Sequence, residues 1–214
     1  MATTRPYSGD RPFDPNTFSF MKRLEEIGRF FEKRSPQHRA VYRLARQLEK
    51  AEIPYAIVGG MAVNAHGAER TTSDVDVILT SDGLTRFRET FVGSRYAPVE
   101  GRSRRFRERQ TGVTVDVHVT GRWPAFGRRG PVTYPDPAAA SQPIGNVRVV
   151  ALDQLIQLKL AAGRYADLGD VTFLIRTHNL DESFLAQLHP SVHRDFIECL
   201  EEKRREDDYI AREG

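Results

Sequence analysis

Two stretches of the sequence alternate aspartate with valine, and this alternation can set carboxylates side by side. The first is Asp74-Val75-Asp76-Val77, and the second, residues 113–119, carries Asp116 among valines. Because successive side chains of a strand point to opposite faces, Asp74 and Asp76 are predicted to share one face while the valines enter a core. Like charges held this close repel each other. A divalent cation is the simplest compensation, because hard cations prefer carboxylate oxygens.

A pair of glycines, Gly59-Gly60, stands just upstream of the first stretch, between a short apolar strand and a short helix. Bare backbone N–H groups at the start of a helix can receive phosphate oxygens. A phosphate cradle beside metal-binding carboxylates is the chemistry of a bound nucleoside triphosphate. In a two-metal mechanism one ion binds the triphosphate, and a second, about 3.5–4 Å away, lowers the pKa of the attacking hydroxyl. Asp116 is also a candidate to take the proton of that hydroxyl.

A plainer interpretation of the three aspartates is that they face solvent on a half-exposed sheet. Aspartate is disfavoured inside strands, however, and three aspartates flanked by valine are not expected by chance. We therefore favour the metal site over the solvated sheet face.

The elements that must position these residues are predicted from periodicity and turn residues. Apolar residues at helical spacing predict helices at about 18–33, 36–51, 81–91, 152–163, 166–177 and onward to 212. Short apolar or alternating runs predict strands at 55–58, 74–79, 96–99, 106–110, 113–119 and 147–150. The segment 121–145, rich in glycine, proline and arginine, is predicted to be a long surface excursion.

Strands in the middle of the chain and helices at both ends predict an α+β fold, with a mixed β-sheet flanked by helices. Three segments are expected. Residues 1–52 form an N-terminal arm and helices that pack on the core, residues 53–150 form the core itself, and residues 151–214 form a helical C-terminal subdomain.

Composition sets the broad class of the protein. At 214 residues, with 39% hydrophobic and 29% charged residues, the chain is predicted to be globular rather than disordered. A net charge of +3 does not by itself imply a polyanionic partner. The single cysteine, Cys199, excludes an internal disulfide and suits a reducing compartment. With neither an apolar run near 18 residues nor a signal-peptide pattern, a cytoplasmic location without membrane contact is expected.

The motif around the glycine pair resembles a known family. Gly59-Gly60 followed by Arg70-Thr71-Thr72-Ser73-Asp74-Val75-Asp76 resembles the first motif of the DNA polymerase beta-like nucleotidyltransferase superfamily. The fuller pattern, Gly-Gly-x-Ala-Val-x-x-His-Gly-x-x-Arg-x-Thr-x-Asp-x-Asp, is similar to small bacterial enzymes that include AbiEii-like abortive-infection toxins and toxin–antitoxin nucleotidyltransferases. Many relatives have Gly-Ser where this chain has the glycine pair. This chain therefore lacks the hydroxyl donor that the serine supplies in those relatives.

A second match lies in the C-terminal part. Leu155-Ile156-Gln157-Leu158-Lys159, followed by Arg164 and Asp167-Leu168-Gly169-Asp170, is similar to the family's C-terminal signature of Lys, Arg and Asp-x-x-Asp. Ala166 stands where relatives often carry a lysine. The residues alone leave a plainer interpretation open, in which Lys159 snorkels from an amphipathic helix and the two aspartates cap and solvate the next one.

The resemblance implies a nucleotidyltransferase-type sheet and a role for each matched residue. It assigns catalysis to Asp74, Asp76, Asp116 and Lys159, with the three aspartates as Mg²⁺ ligands. It assigns nucleotide binding to Gly59, Gly60, Arg70, Ser73, Lys159, Asp167 and Asp170. In this scheme the glycine amides hold the β- and γ-phosphates, and the side chains of Arg70 and Lys159 neutralise phosphate charge. Asp167 and Asp170 orient those two side chains or the nucleotide.

Arginines interleaved with aromatic residues form two further groups. The first contains Arg102, Arg104, Arg105, Arg107 and Arg109 around Phe106, and the second contains Arg122, Trp123, Phe126, Arg128 and Arg129. Such groups suit phosphate contacts and base stacking, which makes candidate nucleic-acid contacts of Arg104, Arg105, Arg107, Arg128 and Arg129. A solvated hairpin and loop, whose arginines keep the protein soluble, is an equally weighted alternative.

These observations predict a Mg²⁺-dependent enzyme that moves a nucleoside monophosphate from an NTP to an acceptor hydroxyl and releases pyrophosphate. The 3′ end of a tRNA is the favoured acceptor, with a protein hydroxyl or an aminoglycoside-like small molecule as alternatives. The resemblance also raises a toxin role with a cognate antitoxin. The rival hypothesis is a non-catalytic nucleotide- or RNA-binding module, or a regulatory subunit, that kept the fold.

Overall fold

Seven strands form one mixed sheet in the computed structural model, which describes residues 35–68, 70–124 and 130–213. The strands are β1 (Tyr55–Val58), β2 (Asp74–Leu79), β3 (Tyr96–Val99), β4 (Arg102–Glu108), β5 (Thr114–Val119), β6 (Ser141–Ile144) and β7 (Val147–Val150). Their order across the sheet is β3-β4-β5-β2-β1-β7-β6. β2 runs parallel to β5 and antiparallel to β1, so the two aspartate-bearing strands are neighbours near the centre.

Helices flank this sheet. They are α1 (Pro36–Lys50), α2 (Gly59–Ala65), α3 (Ser81–Phe91), α4 (Pro137–Ala140), α5 (Leu152–Ala162), α6 (Tyr165–His178) and α7 (His193–Glu213), with 3₁₀ turns at Glu182–Gln187 and Pro190–Val192. The predicted α+β class with a mixed sheet is confirmed. The helix predicted over 18–33 lies outside the described residues. Residues from Pro36 onward form one compact unit, and the segment boundaries at 52 and 150 stay predictions.

Alternating strand residues build the core. Val75 and Val77 on β2 are buried, as are Val115 and Val117 on β5, whereas the aspartates between them are only partly covered. An aromatic cluster fills the space under α3, where the Phe87 ring lies 5.0 Å from that of Tyr96 and 5.3 Å from that of Phe106. The polar faces of β2 and β5 are therefore held in place by a close-packed layer behind them.

The prediction for residues 121–145 is wrong in its second half. Val132 and Tyr134 are buried, a short helix follows, and β6 pairs antiparallel with β7. Gly145, at φ +59°, lies between β6 and β7. Short strands with a proline at the sheet edge carry little periodic signal, which explains the error. The strand predicted at 106–110 begins earlier, at Arg102.

The C-terminal helices pack on one another in chain order. α5 ends at Ala162, the following Gly163 takes the left-handed conformation, and α6 begins at Tyr165. α7 packs on α6, and the Cys199 sulfur of α7 lies 3.8 Å from the carbonyl oxygen of Leu168 on α6. Phe196 and Leu200 of α7 are buried. Within the described ranges, helices of the length and apolar character needed to cross a bilayer are absent.

Candidate active site

The structure brings the three predicted carboxylates onto adjacent strands. β2 and β5 pair in parallel register with Asp76 opposite Asp116, and Asp74 lies two residues before Asp76 on the same face. Neighbouring strands lie about 4.8 Å apart, so the Asp76 and Asp116 side chains leave the sheet side by side. The Asp76 side chain is 21% exposed and that of Asp116 is 16% exposed. The group therefore lies in a partly sheltered position that solutes can still reach.

The glycine bend lies directly against this face. Gly59 has φ +67°, and a Cβ added there would lie 2.1 Å from Oδ2 of Asp76. A Cβ at Gly60 would lie 2.9 Å from the Cβ of Thr72. Only glycine fits at Gly59, because both its backbone conformation and the space beside it exclude a larger residue. The bend and the carboxylates thus form one continuous surface.

Each carboxylate has a protein partner. Nε and Nη2 of Arg105 donate to the two oxygens of Asp116 at 2.6 and 2.5 Å, and the Thr72 hydroxyl donates to Asp74 at 3.0 Å. Among the described residues, no three His, Cys, Asp or Glu side chains are gathered closely enough to hold a metal ion as they stand. The donors themselves are of the type that Mg²⁺ prefers, because all three are carboxylates on one face of two neighbouring strands in register.

His118 and Tyr134 lie beside Asp76. The His118 Nε2 lies 2.9 Å from Oδ1 of Asp76, and its ring stacks on Tyr134 with ring centroids 4.5 Å apart. Burial, and then the charge of Asp76, raise the pKa of Tyr134. Alternation along β5 puts His118 on the same face as Asp116, two residues away. Tyr134 was missed because it lies in the segment predicted to be a surface excursion.

The residues of the C-terminal signature form a buried ion network. Lys159 is 6% exposed, and its Nζ lies 2.6 Å from Asp170 and 3.2 Å from Asp167. Arg164 donates to Asp167 at 2.5 Å and Arg70 to Asp170 at 2.5 Å. Burial by itself would raise the pKa of Asp167, but the hydrogen bond from Arg164 and the Lys159 charge outweigh it and lower that pKa. Lys159 is thus surrounded by protein and does not snorkel to solvent.

Arg70 links the two halves of the site. Its backbone N–H donates to Oδ1 of Asn64 at 2.9 Å, and its carbonyl accepts from Nδ2 of the same asparagine at 2.8 Å. Its guanidinium meanwhile contacts Asp170 on α6. The glycine bend, the approach to β2 and the C-terminal helices are therefore connected through one residue. Asn64 was missed, since an asparagine inside a short helix gives no signal of this clamp.

The remaining predicted residues are placed as follows. Ser73 is exposed just before β2. Arg105 and Arg107 pair with Asp116 and Thr114 across the β4–β5 ladder. Arg104 is exposed. It lies where the β3–β4 register jumps, between the Val99–Arg102 pair and the Pro98–Phe106 pair. Arg128 and Arg129 lie outside the described residues.

Comparison with protein-family models and with curated proteins finds no match. Several solved structures resemble the chain. An antigenic nucleotidyltransferase-like protein from Paracoccidioides brasiliensis is 19% identical over 64% of this chain and 73% of that chain, with a TM-score of 0.42. ANT(2″)-Ia in complex with adenylyl-2″-tobramycin is 13% identical over 74% and 94%, with a TM-score of 0.47. JHP933 from Helicobacter pylori is 12% identical over 82% and 74%, with a TM-score of 0.40. Likeness at this level assigns neither activity nor substrate to the chain.

Proposed function

We propose that the protein is a Mg²⁺-dependent nucleotidyltransferase of the DNA polymerase beta-like type. The observation that carries this proposal is the parallel register of Asp76 with Asp116, with Asp74 on the same face. The contact between Gly59 and Asp76 adds a backbone bend at the place where a triphosphate would enter. Three acids, a glycine bend and nearby cations together favour chemistry on a polyphosphate.

The reaction would be an in-line displacement at the α-phosphorus of an NTP. The acceptor hydroxyl attacks, the bond to the β-phosphate oxygen breaks, and pyrophosphate leaves. Asp74, Asp76 and Asp116 would hold the cation, and Asp116 would also accept the hydroxyl proton. Bound Mg²⁺ would neutralise charge on the phosphates and lower the pKa of the attacking hydroxyl. The Gly59 and Gly60 amides would position the β- and γ-phosphates, beside the one guanidinium of Arg70.

Lys159 would act mainly through other residues. Its Nζ is buried and already has two carboxylate partners, so a direct contact with phosphate would require one of these to be given up. We propose that it holds Asp170, which in turn holds Arg70 toward the nucleotide. A buried charge that is paired on several sides fixes geometry better than it reaches a ligand.

The favoured acceptor is an RNA 3′ end, as on a tRNA. Arg104 and Arg107 are exposed on β4, the strand next to Asp116, and neither forms an ion pair within the described part of the chain. Free guanidinium groups beside a reacting centre suit a phosphodiester backbone. A toxin role restrained by a cognate antitoxin is consistent with this proposal. A protein hydroxyl or a small molecule would be the alternative acceptor.

The test offers each α-labelled NTP, with Mg²⁺, to total RNA, total protein and small hydroxylated acceptors. Label should appear in RNA and should fall by about a hundredfold or more in Asp76→Asn. Asp82→Asn is the matched control, because Asp82 is an exposed aspartate on α3 beyond the opposite end of β2. Label that persists in Asp76→Asn, while Asp82→Asn behaves identically, would contradict the assignment.

One observation favours the non-catalytic alternative. All three carboxylates have protein partners, and no described cluster is ready to receive a metal. A binding module that kept the fold would look the same. It would bind NTP equally well with and without Mg²⁺, or not at all, and would transfer no label.

A further inference from the structure

Arg105 holds both oxygens of Asp116 in a two-pronged contact. Nε lies 2.6 Å from one oxygen and Nη2 lies 2.5 Å from the other. The two residues face each other directly in the antiparallel β4–β5 ladder, so the backbone itself aligns them. Nothing in the sequence motifs required this pair. It is a specific feature of this sheet.

This contact compensates the repulsion among the three carboxylates in the protein without bound nucleotide. Asp74, Asp76 and Asp116 share one sheet face, and like charges held together destabilise one another. The charge of Asp74 and that of Asp76 both act on Arg105, in addition to its hydrogen bonds to Asp116. One guanidinium therefore compensates a group of three acids. A planar fork that matches a carboxylate does this better than a lysine would.

The same contact opposes metal binding. It uses one lone pair on each Asp116 oxygen and places a full positive charge where a divalent cation would approach. The Arg105 side chain is 43% exposed, whereas that of Asp116 is 16% exposed, so the arginine is the partner with room to move. A displaced Arg105 would stay on β4 beside the same face, where phosphate oxygens would arrive.

We infer that Arg105 is an exchangeable counter-ion for Asp116, which yields to the divalent cation and then faces the phosphates of the substrate. This inference rests on the proposed function, because it takes Asp116 as a cation ligand. Arg105 is thus a positioning residue that sets how readily the site accepts its metal. The structure describes the state in which Arg105 is paired with Asp116. In the metal-bound state the cation takes the place of Arg105.

The experiment measures Mn²⁺ binding to the full-length protein without nucleotide, by calorimetry and by electron paramagnetic resonance. Arg105→Gln should bind Mn²⁺ more tightly than the unaltered protein, by about tenfold or more, because a competing charge has been removed. Arg105→Lys keeps the charge but loses the fork, and its affinity should fall between the two. Arg194→Gln is the matched control, since Arg194 is an exposed arginine on α7 paired with Glu198, and the Mn²⁺ affinity of this variant should stay within about twofold of that of the unaltered protein.

The outcomes separate this inference from the proposed function. If the unaltered protein binds Mn²⁺ and loses it in Asp76→Asn, but Arg105→Gln and Arg105→Lys leave the affinity unchanged, the exchange is overturned and the metal site stands. If no variant binds Mn²⁺, both fail. Tighter binding in Arg194→Gln equal to that in Arg105→Gln would also overturn the inference, because it would reflect net charge alone. Thermal unfolding of each variant checks that it is folded. If Arg105→Gln does not fold, the Mn²⁺ affinity of Arg105→Lys is compared with that of the unaltered protein instead.

Discussion

The carboxylate of Asp76 lies against the Cα of Gly59, so closely that a Cβ there would fall 2.1 Å from Oδ2. This contact joins the two parts of the first sequence motif, which are seventeen positions apart, into a single surface. It exists because β1 and β2 are antiparallel neighbours, with Val58 opposite Asp76. The bend that follows β1 must therefore pass over the aspartate.

Gly59→Ala should destabilise the protein and abolish nucleotidyl transfer, because the new methyl group displaces Asp76. Gly101 provides a matched control, since it has φ +68° but no atom within 4 Å of an added Cβ. Gly101→Ala should cost only the left-handed strain, about 1–2 kcal/mol. Urea unfolding measures both free energies. Equal costs for the two variants, with Asp76-dependent transfer intact in Gly59→Ala, would contradict the close contact.

Lys159→Met should lower the free energy of unfolding by about 3 kcal/mol, because it leaves two buried carboxylates short of a cation. Lys203→Met is the control, since its pair with Asp207 lies on the surface of α7 and should contribute less than about 1 kcal/mol. Urea unfolding at neutral pH gives both values. If Lys159→Met kept full stability and lost only transfer, Lys159 would instead touch the substrate, as the family resemblance implies.

Acid should weaken the ion network around Asp167. Burial opposes ionisation of this carboxyl, but the Arg164 hydrogen bond and the Lys159 charge win and lower its pKa below the unfolded value. A carboxyl whose pKa is depressed in the folded state stabilises the protein fully above its unfolded pKa, near 4, and loses that contribution as the pH falls through the folded pKa. Arg164→Gln should therefore reduce the loss of stability between pH 5 and pH 3, as followed by urea unfolding. An unchanged pH profile in this variant would show that Arg164 does not hold the carboxyl ionised.

Binding to RNA should depend on the exposed arginines of β4. The double variant Arg104→Gln, Arg107→Gln should weaken binding of tRNA and reduce the salt slope by about two, because two phosphates are no longer neutralised by the protein. Arg194→Gln on α7 is the control, because its side chain is 89% exposed at the far C-terminal helix. Fluorescence anisotropy over a range of salt concentrations measures both. Identical slopes for all three proteins would favour the solvated hairpin that the sequence left open.

Much of the fold is predictable because its boundaries are chemically marked. β1 follows Pro54 and runs into the glycine pair, and α3 begins after Thr80, whose hydroxyl accepts from the N–H of Gly83. Strict alternation likewise predicts which face of β5 is buried. These features depend on residues near in sequence, and short-range rules describe them well.

The contacts that tune the site are not predictable in this way. Arg105 and Asp116 are eleven positions apart, and only the register of the β4–β5 ladder decides that they meet. A strand predicted at 106–110 leaves Arg105 outside it. Lys159 and Asp170 are charged residues whose types suggest exposure, yet each is buried because the other compensates it. Tyr134 reaches the site from a segment without periodic signal.

The most direct test of the proposed chemistry follows the fate of each phosphate. The protein is incubated with Mg²⁺ and RNA, together with NTP labelled at either the α- or the γ-phosphate. Nucleotidyl transfer predicts that α-label enters RNA while γ-label leaves as pyrophosphate, and that both processes cease in Asp76→Asn but continue in Asp82→Asn. Transfer of γ-label to the acceptor, or pyrophosphate release that survives in Asp76→Asn, would contradict nucleotidyl transfer at this site.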